Sequence, residues 1–145
     1  SELAIHALQL DLRARHPRLQ AEYVLGDCGD EALMRRLIEQ WRPDELFHAA
    51  AYKHVPLLEA QPREAVRNNL FATEVVARAA VAGGVKTLVL ISTDKAVNAI
   101  NMLGASKRLA ELACLARCES SSTRLVTVRF GNVLDSAGSV VPLFR

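Results

Sequence analysis

The chain has 145 residues, half of them apolar, with 18 Lys and Arg against 16 Asp and Glu. That length suits one domain with a substantial core, and the interleaved charges form no basic footprint for nucleic acid. No apolar run reaches the ~18 residues that a membrane span requires, and no stretch reads as a signal peptide. Cys28, Cys114 and Cys118 are odd in number and have no obvious further metal ligands nearby. They read as free thiols in a reducing compartment.

In chain order, Leu3, Ile5, Leu8, Leu10 and Leu12 predict a helix that ends near His16-Pro17, because proline disfavours helix in the residue before it. Tyr23-Val24-Leu25 reads as a short strand closed by Gly26-Asp27. Asp30 is a candidate N-cap for a helix carrying Leu33, Leu37 and Trp41, which Arg42-Pro43-Asp44 stops. Glu45 to Ala51 is the next strand and its exit, where small alanines allow a ligand close to the backbone. Pro56 to Ala82 reads as a long helical region broken at Gln61-Pro62 and ended by Gly83-Gly84.

Thr87 to Ile91 is a continuous apolar, β-branched run, as expected of a parallel strand buried on both faces. It exits into Ser92-Thr93-Asp94-Lys95, and a loop then leads to a helix marked by Leu109, Leu112, Ala113 and Ala116 that carries Lys107 in its first turns. A buried strand ending in a hydroxyl, a carboxylate and an ammonium suggests a site, since ligands of open α/β sheets sit at the carboxyl ends of strands. Arg124 to Arg129 is a further strand, left through Gly131-Asn132-Val133-Leu134, and Ser139 is placed to cap a last helix. The alternation of strand and helix predicts parallel βαβ units in a doubly wound sheet. The chain starts at Ser1-Glu2-Leu3 without Met and stops at Leu143-Phe144-Arg145 inside an expected helix, so it reads as part of a longer protein.

The motifs His48-Ala49-Ala50-Ala51-Tyr52-Lys53-His54-Val55-Pro56, Asn68-Asn69 and Ile91-Ser92-Thr93-Asp94-Lys95-Ala96-Val97 carry a family resemblance. So do Asn101, Gly104-Ala105-Ser106-Lys107-Arg108 and Arg129-Phe130-Gly131-Asn132-Val133. Over residues 1–145 the chain closely resembles the polysaccharide-biosynthesis branch of the extended short-chain dehydrogenase/reductases, the nucleotide-diphosphate-sugar 4,6-dehydratases and epimerases of capsule and O-antigen pathways. The resemblance implies a Rossmann sheet that uses NAD or NADP. No GxGxxG is present, so the first βαβ unit with its phosphate-binding loop and the C-terminal sugar-binding part are expected outside a partial Rossmann domain spanning 1–145. On that expectation the isolated chain is inactive.

In the family's reaction the sugar C4 hydroxyl is oxidised, the C5 proton is removed, the C6 hydroxyl leaves as water and hydride returns to C6. By resemblance, Thr93 hydrogen-bonds the C4 oxygen, Asp94 is the acid for water loss and Lys95 is the base at C5. A lysine base needs its pKa lowered by desolvation. Lys107 matches the lysine of the YxxxK motif and would bind the nicotinamide ribose. Leu103 stands where that motif has tyrosine, so hydroxyl activation would fall to Thr93, Asp94, a lysine or water. Asp27 resembles the adenine contact, Ala49, Ala50 and Ala51 line the cofactor, and Lys53 approaches cofactor or substrate phosphates. Asn69 steadies the active-site strand and Asn132 binds substrate.

His48 and His54 lack a third ligand at a sensible spacing, so no metal is expected. The resemblance further implies a nucleotide-diphosphate sugar, UDP-N-acetylglucosamine foremost, as partner, and a homo-oligomer packed through the helices after Asn69 and after Lys107. It places this portion in the cytoplasm or on the cytoplasmic face of the inner membrane, with any membrane anchor outside this chain. A C5 or C4 epimerase, a non-catalytic nucleotide-sugar-binding domain and a purely structural fragment remain as alternatives.

Overall fold

A computed structural model describes residues 2–133. Its centre is a sheet of three parallel strands in the order β1-β2-β3, with β1 at Glu45–His48, β2 at Thr87–Thr93 and β3 at Arg124–Phe130. Leu46 lies beside Leu88 and Leu88 beside Leu125, so alternate residues of all the strands share one face. Leu88 and Leu90 are fully buried on that face.

Among the described residues six α-helices accompany the strands: α1 (Glu2–Arg15), α2 (Glu31–Trp41), α3 (Val55–Ala60), α4 (Pro62–Ala65), α5 (Ala72–Ala82) and α6 (Met102–Cys118). A π-helical stretch, Val66–Phe71, joins α4 to α5, and Asp94–Ala96 forms a short 3-10 turn after β2. The helices α5 and α6 are the crossovers from β1 to β2 and from β2 to β3. They bury Val76, Ala77, Ala80, Cys114 and Cys118 against Leu88 and Leu90. Small alanines on α5 let it approach the sheet closely, and α2 then adds Ile38 from outside. Parallel strands need such crossovers, and strand-helix alternation is their sequence signature.

Most local signals act as expected. The Asp30 carboxylate accepts from the Leu33 amide at 3.0 Å and starts α2. Arg42 ends α2 in the left-handed region at φ 43°, its amide reaching the Ile38 carbonyl. Gln61 breaks the helical region between α3 and α4. Gly84, at φ 69°, turns the chain from α5 into β2, a conformation costly for any residue with a Cβ. The strand β2 runs on through Thr93, past the expected end at Ile91.

Two readings need correction. Tyr23-Val24-Leu25 is not a strand. A strand exists only through ladder bonds to a neighbour, and no described strand lies beyond β1 to supply them. Val24 and Leu25 stay exposed instead. In α2 the buried residue is Ile38, one position past Leu37, and Trp41 is 52% exposed. The helix expected after Ser139, and Leu134, lie outside the described residues.

One polar chain runs through the core. The Thr73 hydroxyl donates to the Asn69 carbonyl at 2.7 Å, so it must accept from His48 Nε2–H at 2.9 Å. That fixes His48 as the neutral Nε2–H tautomer. Burial, helped by the charge of Lys107, lowers its pKa from the ordinary 6.5 to about 4. An imidazole held neutral in the folded state takes its proton only on unfolding, so acidification from 6.5 towards 4 favours the unfolded chain. Between pH 7 and pH 5 this group alone should remove about 2 kcal/mol of stability. His48→Gln, which keeps a donor for Thr73, should flatten that part of the profile in urea unfolding. Equal acid sensitivity of the two proteins would contradict the assignment.

Candidate active site

The strand β2 delivers Ser92 to the helix side and Thr93 to the opposite side at its carboxyl end. The chain then tightens into the 3-10 turn Asp94–Ala96, in which the Lys95 amide donates to the Thr93 hydroxyl oxygen at 3.3 Å. The Thr93 hydroxyl in turn donates to Asp94 Oδ1 at 2.9 Å. Lys95 Nζ reaches the same carboxylate oxygen at 3.1 Å and Asn132 Oδ1 at 3.4 Å. The hydroxyl, carboxyl and amine singled out in the sequence are thus in mutual contact, and Asn132 joins them from the end of β3. Hydrogen bonds from Lys95 first, and then from Thr93, hold the Asp94 carboxyl below its usual range.

Behind this turn stands the start of α6. Asn101 caps it by accepting from the Gly104 amide at 2.8 Å, and Glu59 of α3 accepts from the Met102 amide at 2.6 Å. A Cβ at Gly104 would lie 2.3 Å from the Lys95 carbonyl oxygen. Only glycine lets the helix come this close to the turn that carries Asp94 and Lys95. One turn further, Lys107 is 4% exposed. Its Nζ donates to the Ile91 carbonyl at 2.7 Å, and desolvation lowers its pKa. Leu103 packs into an apolar cluster with Leu58 and Ala65. Its side chain offers no proton and no hydrogen bond, though its carbonyl accepts from the Ser106 hydroxyl at 3.1 Å.

The exit of β1 is held by the buried amide of Asn69. Its Oδ1 accepts from the Tyr52 amide at 2.8 Å, while its Nδ2 donates to the Tyr52 carbonyl and to the Ser106 hydroxyl, both at 3.1 Å. Asn68 also accepts from the Tyr52 amide. Both asparagines lie in the π-helical stretch, a feature frequent at functional sites. The clamp fixes the path of Ala49, Ala50 and Ala51, which lie between His48 and Tyr52. Ala49 and Ala50 are exposed and Ala51 half-buried, and Lys53 is exposed beyond them.

Asp27 sits on the rim of an open cleft of about 410 Å³ that is also lined by Gly29, Tyr52, Asn68, Phe71 and Ala72. Its carboxylate accepts from the Gly29 amide at 2.8 Å. The cleft adjoins the β1 exit and offers acceptor oxygens beside aromatic surface, a combination that fits the hydroxyls of a ribose and the face of a base. His48 turns into the core, and among the described residues no group of at least three potential ligands could hold a metal ion.

Sequence reasoning missed Glu111, which is 5% exposed. It accepts from Ser92 at 2.5 Å, from Arg108 at 3.0 Å and from Arg129 through both carboxylate oxygens, at 2.8 and 2.5 Å. Burial works to raise its pKa, but the bonds from Arg129, Ser92 and Arg108 prevail and bring it to about 2. The available signal was its place four residues after Lys107, on the same helix face.

The parallel α/β sheet with its crossover helices belongs to the Rossmann-type class of fold, which solved structures such as a UDP-glucose 4-epimerase from Brucella ovis share. Within it, the chain belongs to the polysaccharide biosynthesis protein family, whose model matches residues 1–145. It is 45% identical over 145 residues to the probable polysaccharide biosynthesis protein EpsC of Bacillus subtilis, covering 99% of this chain and 24% of that protein. It is 45% identical over 140 residues to a UDP-glucose 4-epimerase of Rickettsia akari, covering 94% of this chain and 40% of the relative. A UDP-N-acetylglucosamine 4,6-dehydratase (inverting) of Campylobacter jejuni is 39% identical over 127 residues, covering 85% and 37%. Among solved structures, Pen from Bacillus thuringiensis superposes with a TM-score of 0.87 at 38% identity, covering 99% of this chain and 44% of that one. The chain therefore spans about a quarter of EpsC and less than half of these other relatives.

Gly104→Ala should force the Lys95 carbonyl aside and cost about 1–3 kcal/mol in denaturant unfolding, the usual range for overpacking. An unchanged midpoint would mean that the turn yields freely.

Proposed function

We propose that this chain forms the central part of an NAD(P)-dependent nucleotide-diphosphate-sugar 4,6-dehydratase acting on UDP-N-acetylglucosamine in surface-polysaccharide synthesis. The observation that carries the reading is the contact set Thr93–Asp94–Lys95–Asn132 at the carboxyl end of β2. The Campylobacter dehydratase, similar over 127 residues, supports the choice of reaction. A bound nicotinamide supplies the hydride acceptor and donor. Asp27 and the β1 exit would hold its nucleoside end, and Lys107 its ribose hydroxyls, with the phosphate loop contributed from outside these residues.

The chain's own groups have a charge problem to solve. A base at C5 has to be a neutral amine, and an acid at C6 has to be a protonated carboxyl. The Asp94–Lys95 ion pair holds the opposite charges. Moving one proton across the 3.1 Å contact converts the pair into the neutral tautomer that both roles require. Water screens the ion pair while the turn is open, with Asp94 side-chain exposure at 56%. A sugar ring closing over it removes that solvent, and desolvation favours the neutral form. Thr93 then loses its carboxylate acceptor and is free to bond the C4 oxygen, while Asn132 keeps the amine in place. Leu103 takes no part in the proton transfers.

The alternative within the same class is a sugar epimerase, favoured by the Rickettsia relative. The full-length protein should turn UDP-N-acetylglucosamine into a 4-keto-6-deoxy sugar, seen by NMR as a new C6 methyl signal. Lys95→Met should reduce kcat by roughly 10²–10⁴-fold, the usual contribution of a general base. A product changed at C4 or C5 with its C6 hydroxyl intact would establish the epimerase, and an unchanged sugar would defeat the reading.

A further inference from the structure

The groups of the proposed reaction come from two separate strands. Asp94 and Lys95 follow β2, whereas Asn132 follows β3. Lys95 can touch Asn132 only if the two strand ends keep their register and spacing. The ladder pairs Ser92 with Arg129 and Thr93 with Phe130, so Ser92 and Arg129 are the last partners on the helix side. Among the described residues the ladder ends one pair later, at Thr93 and Phe130, and the groups of the site lie beyond it.

Glu111 ties the side chains of that last helix-side pair together. Its Oε1 accepts from Ser92 on β2 and from Arg129 Nε on β3, and its Oε2 accepts from Arg129 Nη2 and Arg108. Those four bonds match the lone-pair capacity of a carboxylate, and the Arg129 fork is bidentate, which fixes direction as well as distance. One turn back on the same helix face, Lys107 grips the Ile91 carbonyl. Helix α6 therefore holds consecutive residues of β2, immediately before the reacting turn, and ties the second of them to β3.

We propose that Glu111 is a positioning residue of the site, acting through Ser92 and Arg129 to set the distance between Lys95 and Asn132. This rests on the reading of Lys95 as a reacting group. A merely structural Glu111 would support folding without affecting the amine. The distinction can be read without any substrate. In the full-length protein, the rate at which a trace of acetic anhydride labels each lysine, followed by peptide mass spectrometry, reports the environment of Lys95, with exposed Lys86 as internal control.

Glu111→Gln and Ser92→Ala should each change Lys95 labelling by about threefold or more and leave Lys86 unchanged. Ser92→Ala removes one bond without stranding a charge, so it keeps the test open if Glu111→Gln folds poorly. With substrate, kcat should fall by about 10²-fold, the effect of a displacement near 1 Å, while KM stays near the wild-type value. Unchanged Lys95 labelling in Ser92→Ala, with or without a lower melting temperature, overturns the proposal. Failure of the wild-type protein to convert any nucleotide sugar counts against the proposed reaction, and the labelling result still decides the role of Glu111.

Discussion

A carboxylate with almost no access to water governs this fold. Glu111 gives up its hydration and recovers it as bonds from Ser92, Arg108 and Arg129. Removing one partner from a buried, fully bonded charge is far more costly than the pair is worth in isolation. The arrangement therefore tolerates little play. Two strands and the helix between them must meet at one point, and that point lies directly beneath the turn carrying Thr93, Asp94 and Lys95. Surface ion pairs such as Arg78–Glu31 and Lys86–Asp44 have no comparable authority, because solvent competes for both partners.

The β1 side is organised by a neutral group of the same kind. The Asn69 amide bonds both backbone groups of Tyr52 and also Ser106 of α6. It substitutes for a strand neighbour at a place where the chain has left the sheet. The Thr73 hydroxyl and the His48 ring extend the network into the apolar layer under β1. One helical segment thereby connects the β1 exit with the helix that carries Lys107.

Much of this was legible in the sequence because it rests on local rules. The run Thr87 to Ile91 announces a buried strand, the cap at Asp30 starts a helix, and the Thr93-Asp94-Lys95 cluster identifies itself by chemistry at a strand end. What could not be read depends on partners far along the chain. Tyr23 to Leu25 has strand-like residues, but composition cannot state whether a neighbour is present to pair with them. Glu111 looks like an ordinary charged residue of an amphipathic helix until Arg129, eighteen residues on, is folded back against it. Trp41 fits the helical period as well as Ile38 does, and only the position of α5 decides which of them is covered.

The π-helical stretch has a further consequence. In Val66–Phe71 the Ala72 amide reaches back five residues to the Arg67 carbonyl, so the stretch holds one residue more than an ordinary helical turn would need. In an unbroken α-helix an extra residue would rotate everything downstream by about 100° about the axis, and the wider turn takes it up instead. The stripe Val76, Ala77 and Ala80 faces the sheet because that residue is taken up before α5 begins. Chain length here acts as a phase setting: the segment that presents Asn68 and Asn69 to Tyr52 also sets the face that α5 turns to the core. A single-residue deletion within Val66–Phe71 would return the stretch to an ordinary helical turn and leave the stripe in place, whereas a deletion at the start of α5 would turn the apolar stripe away from Leu88 and Leu90.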